Sequence, residues 1–319
     1  MDMGMSKKAK KLCQEVRFMV QNDIMPLEAE YYGEVGKAKG GDRFSFTQRQ
    51  TELLEGLKET ARSKNLWNFW LAKDDPVNNL SNVEYAYLAE EMGWSHLAPE
   101  VFNCSAPDTG NMEVLLRYGT EKQKATWLEG LLSGTIRSAY LMTEPDVASS
   151  DASNIALDAR LDGDQWVLNG EKYWASGAGD PRCAVYILMA RTEGQGVDRH
   201  SAHSQFLVDR KTPGINVIRP MTIFGHDDAP HGHMQIKFDN VRVPNSNIIL
   251  GRGRGFEVSQ GRLGPGRIHH CMRAIGQAEY ALKLLCDRAV SRVAFGRPLA
   301  KLGANKDIIA ERRIAIEQA

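Results

Sequence analysis

Three features that would place this chain in a special class are absent. Across its 319 residues no apolar run approaches the length that crosses a bilayer, and no segment is repeated or of low complexity. The amino terminus is polar and leads into an amphipathic helix, so no targeting signal is visible. We therefore expect a protein without a membrane span, located in the cytoplasm or, in a eukaryote, in an organelle matrix.

Neither sign of charge is in excess, and cysteine is sparse. The 40 Lys and Arg residues balance the 40 Asp and Glu residues, which gives no overall electrostatic case for a nucleic-acid partner. An odd number of cysteines without any Cys-x-x-Cys pair predicts buried thiols in a reducing compartment. The five are Cys13, Cys104, Cys183, Cys271 and Cys286.

Two short motifs suggest ligand sites but lack the required pattern. His226, His231 and His233 lie in a segment with Pro and Gly and without helical ligand spacing, so we expect no metal site. The glycines of 251–255 lack the preceding strand and the later acidic residue of a dinucleotide fingerprint, so a turn is the better interpretation.

The period of the apolar residues changes twice along the chain. Helical spacing dominates the first part, where Ser81 and Thr120 begin capping boxes and Pro26 is expected to close the first helix. A period of two begins at Ser138, and helical spacing returns at Phe256. The pattern predicts an α+β chain with an N-terminal α-helical domain (1–135), a middle β-barrel or sandwich domain (136–250) and a C-terminal helical bundle (251–319).

The last helix, predicted from Asp307 to Ala319, receives no Gly, Asn or Pro as a stop signal. The C-terminal bundle is therefore expected to be truncated.

The middle domain contains a segment where polar groups should surround an aromatic side chain. An apolar run ends at Thr143-Glu144-Pro145, where the proline ends regular structure. One turn is predicted at Asp162-Gly163-Asp164 and a second hairpin turn at Asn169-Gly170, which would return Trp174 and Ser176 beside Thr143. Hydroxyl and amide donors next to an indole suit a flat redox-active ring such as a flavin.

These motifs resemble the flavin-binding middle of the acyl-CoA dehydrogenase family. The stretch Met142 to Asp151 is similar to the branch that contains animal members ten and eleven, with one residue more than the common pattern, and Tyr118 to Lys124 also resembles the family. An ordinary β-hairpin with a buried tryptophan is the alternative interpretation.

The resemblance implies FAD as the cofactor and an acyl-CoA thioester as the substrate. The implied reaction yields a trans-2-enoyl-CoA in fatty acid β-oxidation and passes electrons to an electron-transfer flavoprotein. Thr143 would donate near flavin N1, Trp174 would pack on the ring and Ser176 would lie near N5. The residues implied in cofactor binding are Tyr140, Leu141, Met142, Thr143, Ser149, Ser150, Trp174, Ala175, Ser176, Arg292 and Phe295.

Further site residues are implied by the same resemblance. Arg292 matches an arginine that reaches the flavin pyrophosphate of a neighbouring subunit, so a homodimer or homotetramer is expected. An ion pair at a helix terminus is the alternative role for Arg267. The substrate contacts would be Ser150, Gly264, Pro265, Gly266 and Arg267.

No catalytic base is assigned within the chain. Some relatives carry the base at the position of Gly266, which has no side chain, and the others carry it in a C-terminal helical segment, so the base is expected beyond Ala319. Two alternatives stay open: a catalytically silent protein that binds FAD or acyl-CoA or assists assembly, and an acyl-CoA oxidase or flavin monooxygenase relative.

Overall fold

The computed structural model describes residues 4–193 and 197–319. Residues 1–3, which open the predicted first domain, lie outside the described residues. The chain divides into two compact units. The first comprises Met1–Ala29, Glu55–Cys104 and Arg267–Ala319, and the second comprises Glu30–Leu54 and Ser105–Gly266. The predicted domain boundaries at 135 and 250 stay a prediction.

The first unit is helical. Its amphipathic helix α1 packs on α4 through Leu12, Val16 and Met19, which are buried. Across both units, the α-helices that the structure describes are, in chain order, α1 (Lys7–Met19), α2 (Met25–Gly33), α3 (Gln48–Ser63), α4 (Asn82–Met92), α5 (Ala98–Val101), α6 (Asp108–Tyr118), α7 (Glu121–Gln123), α8 (Glu129–Ser133), α9 (Gly255–Ser291) and α10 (Gly303–Gln318).

Pro26 does not close the first helix, which corrects that prediction. A π-helical turn, Val20–Ile24, follows α1, and the Met25 N–H donates to the Val20 carbonyl. The chain then continues into α2, where Pro26 is the second residue. The π-helical turn directly before Pro26 interrupts the regular i→i−4 hydrogen-bond ladder, so the helix passes the proline and does not end there.

Both predicted capping boxes are confirmed. The Ser81 hydroxyl accepts from the Glu84 N–H, and the Glu84 carboxylate accepts from the Ser81 N–H at the start of α4. Thr120 and Gln123 make the same reciprocal pair at the start of α7. Each box satisfies two amide groups that a helix terminus leaves without partners.

The second unit contains one seven-stranded sheet with the order β1-β4-β2-β3-β7-β6, and β5 pairs with β4. β1 is parallel to β4, whereas the β2–β3, β3–β7, β6–β7 and β4–β5 pairs are antiparallel. The strands are β1 (Arg137–Leu141), β2 (Asp158–Asp162), β3 (Gln165–Ser176), β4 (Cys183–Arg191), β5 (His203–Asp209), β6 (Ile215–Pro220) and β7 (His233–Pro244). A two-stranded hairpin, β8 (Val293–Ala294) with β9 (Arg297–Pro298), follows α9.

The core of this sheet is apolar and includes large aromatic side chains. Trp166 of β3 is 2% exposed and meets Phe206 of β5 edge to face, with ring centroids 5.4 Å apart. Leu168, Tyr186 and Phe238 belong to the same buried cluster. These contacts fix the strands that carry the candidate site.

Asn169-Gly170 is a bulge and not a hairpin turn, which corrects that prediction. β3 runs through it as one strand, and its register with β7 shifts between Leu168 and Gly170. The Asn169 side-chain oxygen accepts from the Asn240 N–H at 2.8 Å, which supports the bulge. The other turn is confirmed, because Asp162 and Gln165 are paired across the β2–β3 hairpin.

The prediction of five buried thiols is wrong for two of them. Cys13, Cys104 and Cys183 are buried, but Cys271 is exposed and Cys286 is half-buried, both on α9. The spacing of apolar residues on α9 does not determine which side of this long helix is covered. None of the helices in residues 4–193 and 197–319 has both the length and the hydropathy of a membrane span. The predicted α+β class, with helical N- and C-terminal parts and a middle sheet, is confirmed.

Candidate functional site

The loop after β1 and the end of β3 meet at Thr143. The Tyr173 N–H donates to the Thr143 carbonyl at 2.9 Å, so Thr143 lies beside the next residue of β3, Trp174. Ala175 and Ser176 end that strand opposite β7. The structure therefore brings together the loop and the strand in which sequence analysis placed the flavin contacts.

Trp174 sits at a second irregularity of β3. The register with β7 shifts between Lys172 and Ala175, and Trp174 has φ +54°, a left-handed conformation that is rare for a bulky residue. Its half-buried ring lies 6.0 Å from the Tyr173 ring and 6.1 Å from the His233 ring, measured between centroids. Strained backbone of this kind is concentrated at functional sites, where the surrounding structure maintains it.

A buried ion pair holds the loop closed. The Lys172 ammonium donates to the Glu144 carboxylate at 2.7 Å and to the Met142 carbonyl at 2.9 Å. The same carboxylate accepts from the N–H groups of Ala156 and Leu157 at 2.8 and 3.0 Å. Glu144 thus joins both ends of the loop to β3, and Lys172 is fully buried.

Burial lowers the pKa of Lys172 to about 8, because a dry environment disfavours the ammonium form. The Glu144 charge acts in the opposite direction and raises the pKa of this lysine.

The Thr143 hydroxyl of the loop is available for a ligand. Thr143 is half-buried, and no residue of the described part of the chain hydrogen-bonds to its hydroxyl. Leu141 is buried in the sheet core, so only its backbone is available to a ligand. Met142 packs against Ala152, Ile155 and Met189. A free hydroxyl, a rigid loop and a half-buried indole fit the polar edge and the face of an isoalloxazine ring.

Tyr140 takes part in a separate buried network. Its hydroxyl bonds with the Ser259 hydroxyl at 2.8 Å and accepts from the Gln205 amide at 2.9 Å. The Arg262 guanidinium lies 3.9 Å from its ring centroid and donates to the Asn111 side-chain oxygen at 2.9 Å. Burial raises the pKa of Tyr140. The hydroxyl is thus used inside the protein, and the network fixes the end of β1.

Two serines of the loop differ in their surroundings. Ser149 is buried, and its hydroxyl accepts from the Glu144 N–H at 2.9 Å. Ser150 is exposed. The first serine therefore shapes the loop, while the second is accessible to a substrate.

The segment Gly264 to Arg267 lies inside α9. A Cβ at Gly264 or Gly266 would meet no described atom within 4 Å beyond the local helix backbone, so the space beside both residues is open. Arg267 is exposed, and no carboxylate oxygen of the described residues lies within 4 Å of it. The alternative role of Arg267 in an ion pair at a helix terminus is wrong, because Arg267 is in the helix interior.

Arg292 and Phe295 belong to the first unit and follow α9. Arg292 is exposed and makes no ion pair with the part of the chain that the structure describes. Phe295 is 94% exposed at the tip of the β8–β9 hairpin, with φ +53°. Both side chains are accessible, and their roles in cofactor binding stay predictions.

Sequence analysis missed Lys172 and Glu144 as a pair, and it missed Arg262. For Lys172 a signal was present: Trp166, Leu168 and Lys172 are spaced by even numbers on the inward face of β3, so a charge at Lys172 required a buried partner. Within residues 4–193 and 197–319, no group of three or more His, Cys, Asp or Glu side chains is arranged to hold a metal ion.

Comparison with known proteins identifies the family. The models of the N-terminal, middle and C-terminal domains of acyl-CoA dehydrogenases match residues 6–135, 139–241 and 253–319. A probable acyl-CoA dehydrogenase of Mycobacterium tuberculosis is 47% identical over all of this chain and 76% of its own length. The structure of a putative acyl-CoA dehydrogenase from Mycobacterium abscessus superposes with a TM-score of 0.91, at 49% identity, over 99% of this chain and 78% of that one.

The chain belongs to the acyl-CoA dehydrogenase family. Acyl-CoA dehydrogenase family member 11 of Gallus gallus is 49% identical over 98% of this chain, which spans 40% of that relative's length. The resemblance to this family is thereby confirmed, as is FAD as the cofactor of the family.

Proposed function

We propose that this chain forms the flavin-binding and part of the substrate-binding region of an enzyme that dehydrogenates acyl-CoA thioesters to trans-2-enoyl-CoA in fatty acid β-oxidation. The junction of the Thr143 loop with the Trp174 strand carries this proposal. Membership of the family and the free Thr143 hydroxyl support it.

Each of the residues at the junction has a distinct task in this proposal. FAD, when bound, would supply the acceptor for the hydride from the β carbon of the thioester. Thr143 would donate to the N1 edge of the ring, and Trp174 would cover a face and exclude water. Ala175 and Ser176 would lie near N5. The Lys172–Glu144 pair touches neither ring nor substrate but holds Thr143 against β3.

The substrate contacts in this proposal lie on two segments. Ser150 is accessible to the CoA moiety, and the half-buried residues 264–266 of α9 receive substrate together with the exposed Arg267 as the cation. Gly266 cannot take the α proton because it has no side chain. We assign no residue of this segment as the base.

Electron-transfer flavoprotein is the proposed electron acceptor. We also propose a homodimer or homotetramer in which Arg292 and Phe295 reach the FAD of a neighbouring subunit, since both side chains are exposed. A guanidinium is suited to a diphosphate because its donors match the phosphate oxygens in pairs.

The test begins with reconstitution. Purified protein is mixed with excess FAD and desalted, and the visible flavin spectrum reports whether FAD remains bound. Anaerobic addition of short-, medium- and long-chain acyl-CoA should then bleach the flavin. Absence of bound FAD would contradict the cofactor proposal, bound flavin that no acyl-CoA reduces would favour the silent binding protein, and rapid peroxide formation in air would favour an oxidase.

Replacing Trp174 should weaken FAD binding without unfolding the chain. We expect Trp174→Leu to raise the dissociation constant of FAD about tenfold. Stacking of two aromatic rings contributes roughly 1 kcal/mol in addition to the burial of apolar surface, and this contribution is lost. Equilibrium dialysis or flavin fluorescence measures this change. The control is Trp127→Leu, which removes another half-buried tryptophan of the same unit and should leave FAD affinity unchanged. Equal losses in both variants would contradict the assignment.

A further inference from the structure

A histidine contacts the hydroxyl of Ser176, the last residue of β3. Ser176 of β3 and His233 of β7 are direct cross-strand partners, and the Ser176 hydroxyl oxygen lies 2.9 Å from His233 Nδ1. The same imidazole lies beside Trp174, with ring centroids 6.1 Å apart. His233 thus contacts two residues that the proposed function places at the ring.

The other nitrogen of His233 faces a carboxylate. Nε2 lies 3.3 Å from an oxygen of Asp228, in the loop that precedes β7. A carboxylate accepts hydrogen bonds but cannot donate them, so of the two neutral imidazole tautomers it favours the one with the proton on Nε2. In that tautomer Nδ1 is an acceptor, and the Ser176 hydroxyl donates its only proton to it.

The direction of this hydrogen bond determines what Ser176 offers to a ligand. With its proton directed at His233, the hydroxyl presents lone pairs on its other side and acts as an acceptor. Without a partner at that position, the hydroxyl is free to rotate and to donate. Oxidised flavin accepts at N5, whereas reduced flavin carries a proton there and donates.

We propose that His233 and Asp228 are positioning residues that turn the Ser176 hydroxyl into an acceptor matched to the reduced flavin. The inference rests on the proposed function, because it requires a flavin near Ser176. The inference adds two residues whose role is to set the midpoint potential of the bound flavin, and not to bind the flavin. Neither needs to contact the ring.

Removal of the imidazole should lower the midpoint potential of the bound flavin. In His233→Phe a flat ring remains beside Trp174, but the Ser176 hydroxyl no longer donates to an imidazole. Its proton is then available for donation to N5 of the oxidised flavin. We expect the ratio of affinities for reduced and oxidised FAD to fall about tenfold, the effect of one hydrogen bond, or about 30 mV for a two-electron couple. Equilibrium reduction against a reference dye measures the potential.

A double-mutant cycle separates this role from general packing. In the Ser176→Ala background, His233→Phe should produce no further shift, because the hydroxyl through which it acts is absent. Equal shifts in both backgrounds, or no shift in the wild-type background, would overturn the inference. Asp228→Asn is the second variant: residue 228 has φ +54°, which asparagine tolerates, and its side chain is 67% exposed, so the fold should survive. It should lower the potential in the same direction by a smaller amount.

The outcomes distinguish this inference from the proposed function. If the wild-type protein retains no FAD, the proposed function and this inference both fail. If FAD binds and the potentials of wild type, His233→Phe and Asp228→Asn coincide, the proposed function survives and this inference alone is rejected.

Discussion

Lys172→Met should destabilise the protein by about 3 kcal/mol and abolish FAD binding. The substitution leaves the buried Glu144 carboxylate without its cation, and breaking a buried ion pair by removing one partner typically costs about 3–5 kcal/mol. We expect the lower end, because the N–H groups of Ala156 and Leu157 continue to donate to this carboxylate. The free energy of unfolding is measured by urea titration, and FAD binding by the retained visible absorbance.

Two control variants accompany this test. One makes the same Lys→Met change at an exposed site, and the other removes the Glu144 charge together with the Lys172 charge. Lys283→Met removes an exposed lysine that pairs with Asp287 four residues later, and solvent screens such surface pairs, so this change should leave the free energy of unfolding nearly unchanged. Lys172→Met combined with Glu144→Gln removes both charges and should recover about 1 kcal/mol or more of the loss. Equal effects of Lys172→Met and Lys283→Met would show that the ion pair does not hold the loop.

Local signals predicted the helix starts, because a capping box lies entirely within a few residues. Ser81 with Glu84 and Thr120 with Gln123 needed no knowledge of the rest of the chain. The start of α6 was different. It begins at Asp108, whose carboxylate accepts from the Ser138 N–H at 2.7 Å, a contact with β1 that spacing along α6 could not reveal.

The bulge at Asn169-Gly170 shows how tertiary pairing overrides a turn signal. Asn-Gly favours a two-residue hairpin, but here both flanks of the dipeptide pair with β7, and the asparagine side chain bonds to the Asn240 N–H on that strand. The candidate site depended on a similar long-range contact. The motifs placed Thr143 and Trp174 near each other, but the Lys172–Glu144 pair that fixes them spans 28 residues.

Gly276→Ala should also destabilise the protein by about 3 kcal/mol, although glycine is the poorer helix former. In α9 this substitution would ordinarily gain up to about 1 kcal/mol. At residue 276, however, a Cβ would lie 1.8 Å from the carbonyl oxygen of Glu90 and 3.1 Å from the Cα of Gly93, both of them backbone atoms. The reciprocal contact is also too close, because a Cβ at Gly93 would lie 2.3 Å from the carbonyl oxygen of Arg273.

Backbone atoms cannot rotate away as a side chain can, so α4 and α9 must separate to admit even one methyl group. Overpacking typically costs about 1–3 kcal/mol, and the rigid neighbours favour the upper end. Gly266→Ala is the matched control: it lies in the same helix, meets nothing within 4 Å, and should leave the free energy of unfolding unchanged or raise it by up to about 1 kcal/mol. Urea titration of both variants measures the difference. A gain in stability for Gly276→Ala would mean that the two helices are not held together by this glycine pair.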